Sequence, residues 1–228
     1  MRELIVPAAD LLLGARCAGC GGPALLLCRS CGLELRPDPV PVRPAVVPRP
    51  LRRPHEVQVM AAGVNAGVLR RTILAWKEEG VSRLTDVLRH HLAAAVIPHV
   101  RGTRPLALVP VPTSRRSRRE RGSDLVDELA RATAVLLRGV GVDTVVVQAL
   151  GYTRTTEDQA GLDAEGRRAN LEGALVARSR SGSSPRQIVV VDDIWTTGAT
   201  ASEAVRALSA AGRRPAGISV IAATPRRS

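Results

Sequence analysis

The chain has 228 residues, 45% of them hydrophobic, enough for one sizeable packed domain with a small appendage and inconsistent with a disordered or fibrous protein. With no Phe, one Tyr and two Trp, the core must be built from Val, Leu, Ile and Ala, and aromatic base stacking is disfavoured as a main mode of binding. A formal charge of +12, carried by arginine everywhere except Lys77, suits a polyanionic partner such as nucleic acid or a highly phosphorylated metabolite, although an arginine-biased genome explains the preference for Arg over Lys equally well.

The first stretch, MRELIVPAADLLLGARC, is interrupted by Glu3, Pro7 and Asp10, and no window reaches the ~20 uninterrupted apolar residues of a membrane span. It reads as a short amphipathic helix rather than a targeting signal, and the chain as cytoplasmic. All four cysteines follow in CAGCGGPALLLCRSC: Cys17 pairs with Cys20 and Cys28 with Cys31, each as CxxC. One such turn aims two sulfurs at one metal, so two of them on a small hairpin supply the four ligands of a closed, structural zinc site in a zinc-ribbon-like module over residues 1–35. Gly19, Gly21, Gly22 and Gly32 suit the tight knuckles. A disulfide framework is disfavoured in a cytoplasmic chain, and a redox CxxC needs no matched second pair; iron in the same thiolate cage stays open as an alternative.

Residues 36–54, RPDPVPVRPAVVPRPLRRP, carry Pro37, Pro39, Pro41, Pro44, Pro48, Pro50 and Pro54, which deny the chain a regular helix. They read as a semi-rigid spacer before a main domain over residues 55–228, with a polyproline recognition ligand as the weaker alternative. Two helical patterns open that domain, NAGVLRRTILAWKEEG and VSRLTDVLRHHLAAAVIP, the second with Leu84, Leu88, Leu92 and Ala95 on one face and Pro98 at its end. The strand-like runs PLALVPVP, DTVVVQAL, QIVVVDD and GISVIAA then alternate with the helical runs DLVDELARATAVLLRG and ATASEAVRALSAAG. The expected fold is α/β, a parallel sheet flanked by helices on both faces, with its ligand beyond the carboxyl ends of the strands. RSRSGSSPR reads as a polar loop before the third of these strands. His55, His90, His91 and His99 form no convincing catalytic cluster and are expected to be structural.

The run SRRSRRERG, with Arg115, Arg116, Arg118, Arg119 and Arg121, follows the first strand. Guanidinium forks suit pyrophosphate or a nucleic-acid backbone, and a solvated helix start accounts for part of the run. The most informative stretch is IVVVDDIWTTGATASEA. Its chain is expected to leave the sheet at Asp192 and Asp193 and to turn through Ile194 to Thr200 into a helix. Unpaired amides at that helix start, with Thr196, Thr197, Gly198, Ala199 and Thr200, form an anion cradle. Hydrogen bonds to a charged group are worth about 1.5–3 kcal/mol each, against about 0.3–1 kcal/mol for the helix dipole, so the bonds dominate phosphate affinity. Two acids would repel a phosphate but can accept from ribose hydroxyls, so one sugar phosphate would span both features. A plain helix cap with acidic neighbours is the alternative, but capping uses one acid, not two followed by three threonines and a glycine.

This stretch resembles the phosphoribosyl-pyrophosphate (PRPP) motif of type I phosphoribosyltransferases. The chain more widely resembles the ComF family, in which such a domain follows an N-terminal four-cysteine zinc module. The segments LVPVPTSRRSRRERG, TTEDQAGLDAEGRRANLEG and WKEEG match the family's patterns, so that the resemblance covers nearly everything except the proline spacer. It implies a type I phosphoribosyltransferase-like sheet in which the catalytic pair Asp192 and Asp193 holds the ribose and Thr196, Thr197, Gly198, Ala199 and Thr200 hold the 5-phosphate. Thr113, Ser114 and Arg115 would lie near the pyrophosphate. Arg154 to Asn170 would be the mobile region closing over the ligand, with Gln159, Arg167 and Asn170 as the motif matches. The resemblance further implies structural zinc, Mg²⁺ carried with PRPP, and work in DNA uptake during natural competence with single-stranded DNA and other competence proteins as partners. The alternative it implies is an active transferase passing phosphoribose from PRPP to an acceptor. Where the family reads RGFNQ this chain reads RGSDL, Arg121 to Leu125, so the packing or ligand contact of that segment does not carry over.

Overall fold

The computed structural model describes residues 15–42, 57–113, 124–153, 171–178 and 186–225. In chain order these form α1 (Arg29–Glu34), β1 (Val40–Pro41), β2 (Gln58–Ala61), α2 (Gly67–Glu78), α3 (Thr85–Val96), β3 (Leu106–Pro110), α4 (Leu125–Gly139), β4 (Thr144–Val146), β5 (Leu150–Tyr152), β6 (Leu175–Ala177), β7 (Gln187–Trp195), α5 (Ala199–Ala210) and β8 (Gly217–Ala223). Six strands make one sheet in the order β1-β2-β8-β7-β3-β4, parallel throughout except for β1, and β5 and β6 pair antiparallel on their own.

Alternation along the strands assigns each side chain to a layer. Val189 and Val191 of β7 join Leu106, Leu108 and Ile221 under α2, α3 and α4, whereas Val190 joins Val109, Ile218 and Val220 against α5 and the β5–β6 pair. A strand buried on both sides needs an unbroken apolar run, which is what IVVV supplies. Each fully buried Val, Leu or Ile contributes about 1.5–3 kcal/mol, so aliphatic side chains suffice for a core with so few aromatic rings. The mixed α/β architecture, mostly parallel and flanked by helices, agrees with the sequence expectation.

Several local differences have physical causes. The run DTVVVQAL does not stay in one strand: after Val147 N–H donates to Leu108 O at 2.9 Å the chain leaves β3, and Leu150–Tyr152 pairs with Leu175–Ala177 instead. The strand QVMA, beside β8, and the strand LVA are too short to show a period of two. The proline-rich segment also enters the sheet, since Asp38 N–H donates to Ala62 O and Val42 N–H to Val59 O, both at 2.8 Å. Its two-residue strand is an edge, where a proline that cannot donate is tolerated. As expected, α3 ends just before Pro98, at Val96, and Pro98 sits in a 3₁₀ turn, Ile97–His99, at a first-turn position where its missing N–H costs nothing.

The histidines sit where packing puts them. His90 and His91 set Nδ1 at 2.9 and 3.4 Å from carbonyl oxygens one turn back, those of Asp86 and Val87. His99 is buried with Nε2 3.2 Å from Ile218 O, and burial holds its pKa below the ordinary value. A Cβ at Gly217 would lie 2.2 Å from that imidazole, so the ring fills the space a side chain would need. His55 lies outside the described residues. No helix among the described residues is long and apolar enough to cross a membrane.

Candidate functional site

The ligand atoms of Cys17, Cys20, Cys28 and Cys31 all lie within 4.8 Å of one another. Thiolates held at about 2.3 Å from a tetrahedral zinc stand about 3.8 Å apart, and Cys20 Sγ and Cys28 Sγ are separated by 3.7 Å. Gly19 N–H and Cys28 N–H donate to Cys17 Sγ at 3.3 and 3.2 Å, so backbone dipoles already support charge on that sulfur. The Ser30 hydroxyl and the Cys31 amide hold the Cys28 thiol down to about 6, whereas burial and the three neighbouring cysteines push Cys31 up to about 12. Four thiolates cannot share this space without a cation, and the all-sulfur set fits zinc. No ligand position is left over for a substrate, so such a metal holds the fold together.

This centre is seated on α2 rather than strung away from the domain. Cys17, Ala24, Cys31 and Leu35 pack with Val68 in one buried cluster, and Arg71 Nε donates to Gly19 O. A Cβ on Gly19 would approach Cys31 Sγ to 2.7 Å and Val68 Cγ1 to 2.9 Å, so the knuckle and the helix meet without spare room. Two concavities, of about 350 and 340 Å³, lie beside this module and are lined by residues such as Glu34, Asp38, Gly67 and His91, or Leu27, Asp86 and His90. Neither includes the acid pair.

That pair sits on β7, two strands in from the sheet edge. Pairing with β3 ends at Pro110↔Val191, but pairing with β8 continues from Asp192↔Val220 to Trp195↔Ala223. Asp192 and Asp193 are therefore strand residues, which corrects the expectation that the chain leaves the sheet there. β3 is shorter than β8, so one side of β7 opens at the acids while the other stays hydrogen-bonded. Asp193 turns toward α2, where Lys77 Nζ stands 2.7 Å from Oδ2. Its Oδ1 accepts from Ile194 N–H at 2.6 Å, and Asp192 Oδ1 accepts from Asp193 N–H at 2.9 Å. A carboxylate offers about four acceptor positions, so both acids keep capacity for hydroxyl donors. Burial first, and then the Asp193 charge, push the Asp192 carboxyl above the usual range, against the pull of the Asp193 N–H and of Lys77; Asp124 adds to the upward push. Tyr152 is driven up to about 12 by burial and by Asp192 and Asp124, so its phenol stays neutral.

Beyond Trp195 the chain makes its turn. Gly198 is the N-cap of α5 with φ of 77°, in the left-handed region, and the amide of Ala199 donates to Thr197 Oγ1 at 3.4 Å. Besides any ligand, the glycine answers an internal constraint, because a Cβ there would fall 2.3 Å from the buried Trp195 ring. Left-handed backbone and overpacking together cost about 2–4 kcal/mol, so Gly198→Ala is expected to lower stability by that amount in urea denaturation, and a loss under ~0.5 kcal/mol would contradict this packing. The middle of the same helix is anchored by Glu203, which is buried, accepts from Leu175 N–H at 3.0 Å and from Arg206 at 2.7 Å, while Arg206 donates to Leu175 O at 2.8 Å.

The parallel strands bring Thr113, just after β3, to the same end of the sheet. Its Oγ1 donates to Asp124 Oδ1 at 2.8 Å and its N–H reaches Asp124 Oδ2 at 3.4 Å. Asp124 also caps α4, accepting from Asp127 N–H at 3.3 Å. In the segment that departs from the RGFNQ pattern, Asp124 thus ties the strand exit to the helix start. Ser114 and Arg115, and the four residues Arg154, Gln159, Arg167 and Asn170, lie outside the described residues. The sequence assigns no role to Lys77, Asp124 or Tyr152, although Lys77 lies in the family-like segment WKEEG and Asp124 stands three residues before Asp127 at the start of a helical pattern. Comparison with known protein families and with curated proteins returned no match for this chain.

Proposed function

We propose that this chain binds PRPP with Mg²⁺ at the carboxyl end of β7, as a phosphoribosyltransferase-like protein of the ComF kind. The observation that carries this reading is the continuity from Asp192 and Asp193 into a turn capped by left-handed Gly198 at the start of a 12-residue helix. The amides of Thr196 to Thr200 would take the 5-phosphate, and the acid pair would accept from the ribose hydroxyls. Thr113, held by Asp124, would stand on the pyrophosphate side. Asp192 is crowded by Asp193 and Asp124 and drawn by Lys77, and carboxyls gathered in this way suit a ligand arriving with its own divalent cation. Mg²⁺ on the substrate's oxygens would supply charge neutralisation for a departing pyrophosphate.

The net charge of +12 supports a role in handling single-stranded DNA during competence, because a basic protein so poor in aromatic residues contacts mainly backbone phosphates. Affinity for a single-stranded oligonucleotide is expected to fall at least tenfold between 50 and 200 mM salt, in the range set by counterion release from a handful of phosphate contacts; a flat response rules out phosphate-led contact. The second reading is transfer. The C1–pyrophosphate bond of PRPP would break, pyrophosphate leaving with the electron pair, and C1 would bond to an acceptor nucleophile. Pyrophosphate release across a panel of nucleobases, with and without DNA, separates the two: acceptor-dependent release supports transfer, and tight PRPP binding without release supports a ligand-responsive DNA-handling protein.

A further inference from the structure

Lys77 is the single lysine in a chain with 33 Lys and Arg residues. It occupies the last turn of α2, where the helix dipole favours a cation, and it is presented rigidly. The neighbouring Trp76 is fully buried and donates from Nε1 to Thr85 Oγ1 at 3.0 Å, while Ile73 and Ala75 are buried in the same core. Lys77 and Asp193 are themselves mostly covered, with 23% and 16% of their side chains exposed, so the pair is only partly screened by water. The carboxylate is pinned from both ends: Ile194 N–H on Oδ1 and the ammonium on Oδ2 leave it no freedom to rotate. An ammonium reaches one oxygen end-on, whereas the planar fork of an arginine would compete with Ile194 N–H for the other.

Building on the PRPP reading, we propose that Lys77 is a positioning residue of the ligand site, acting through Asp193: it fixes the Asp193 carboxylate so that the carboxylate's free acceptor positions meet the ribose hydroxyls. It also connects that site to α2, the helix on which the cysteine centre sits.

The test is calorimetry of Mg²⁺·PRPP binding to wild type, Lys77→Met, Lys77→Arg, Asp193→Asn and the Lys77→Met/Asp193→Asn double variant, with Tm recorded for each. Lys77→Met is expected to weaken binding about tenfold, Lys77→Arg to recover part of the loss, and the double variant to bind no more weakly than Asp193→Asn, since the lysine acts through that acid. Wild-type affinity in a folded Lys77→Met protein overturns the proposal, as does a double variant whose losses simply add. No binding by wild type removes the PRPP reading itself, which is a separate failure. Should Lys77→Met not fold, acetylation of the single lysine in wild type, read by peptide mass spectrometry, replaces it: Mg²⁺·PRPP is expected to slow modification at Lys77, and an unchanged rate overturns the proposal.

Discussion

Replacing Asp192 and Asp193 together by asparagine is expected to lower affinity for Mg²⁺·PRPP by at least about 100-fold. Hydrogen bonds to a charged acceptor contribute about 1.5–3 kcal/mol each, and at least two would lose that charge. The fold should survive, because asparagine has nearly the same shape and its side-chain oxygen at 192 can still accept from the amide of residue 193. Asp192→Asn alone is expected to leave stability unchanged or to raise it. The Asp192 carboxyl is half-buried beside Asp193 and within reach of Asp124, and this crowding already pushes it above the usual range. A site that binds better than it packs accounts for such a residue. Calorimetry measures the first effect and thermal unfolding the second; unchanged affinity in the double variant would remove both acids from the ligand site.

Metal removal is expected to have the other large effect. Apparent binding energies of structural zinc in small thiolate sites reach about 10–16 kcal/mol at neutral pH, far more than the cluster of Cys17, Ala24, Cys31, Leu35 and Val68 can supply by packing. Chelation, or Cys17→Ser with Cys31→Ser, should therefore release α1 and its knuckles, seen as fast amide exchange over residues 15–35 and loss of about one zinc per chain. A closed structural metal with no open ligand position would by itself leave the distant loop chemistry intact. The structure gives a reason to expect otherwise, since Val68 and Arg71 of α2 are part of the seat and Lys77 stands at the other end of the same helix. A severalfold loss of PRPP affinity in the metal-free protein is expected, and full retention would mean that α2 holds its place without the module.

The parts that were legible in the sequence had strong local signatures. CxxC pairs announce a thiolate cluster because ligand spacing is set by the turn, and the run IVVV announces a doubly covered strand because nothing polar interrupts it. The end of that strand was not legible. Asp192 and Asp193 look like an exit, but whether β7 continues depends on the length of β8, which lies 22 residues or more further along the chain. Strands of three or four residues such as β2 and β6 carry too few positions for a period to be read. The pairing of Lys77 with Asp193 was invisible for a similar reason, since residues 116 positions apart meet only through the packing of α2 over the sheet. Gly198 carries a second constraint that the sequence does not show: the space a side chain would need is taken by Trp195, three residues earlier and at the strand end.

Diffraction from crystals grown with Mg²⁺·PRPP is the most direct test of the assignment. The expected density has ribose hydroxyls within about 3 Å of the Asp192 and Asp193 carboxylates and the 5-phosphate within about 3 Å of the amides between Thr196 and Thr200. Ordered PRPP bound anywhere else on the protein, with this end of β7 holding only solvent, would contradict it.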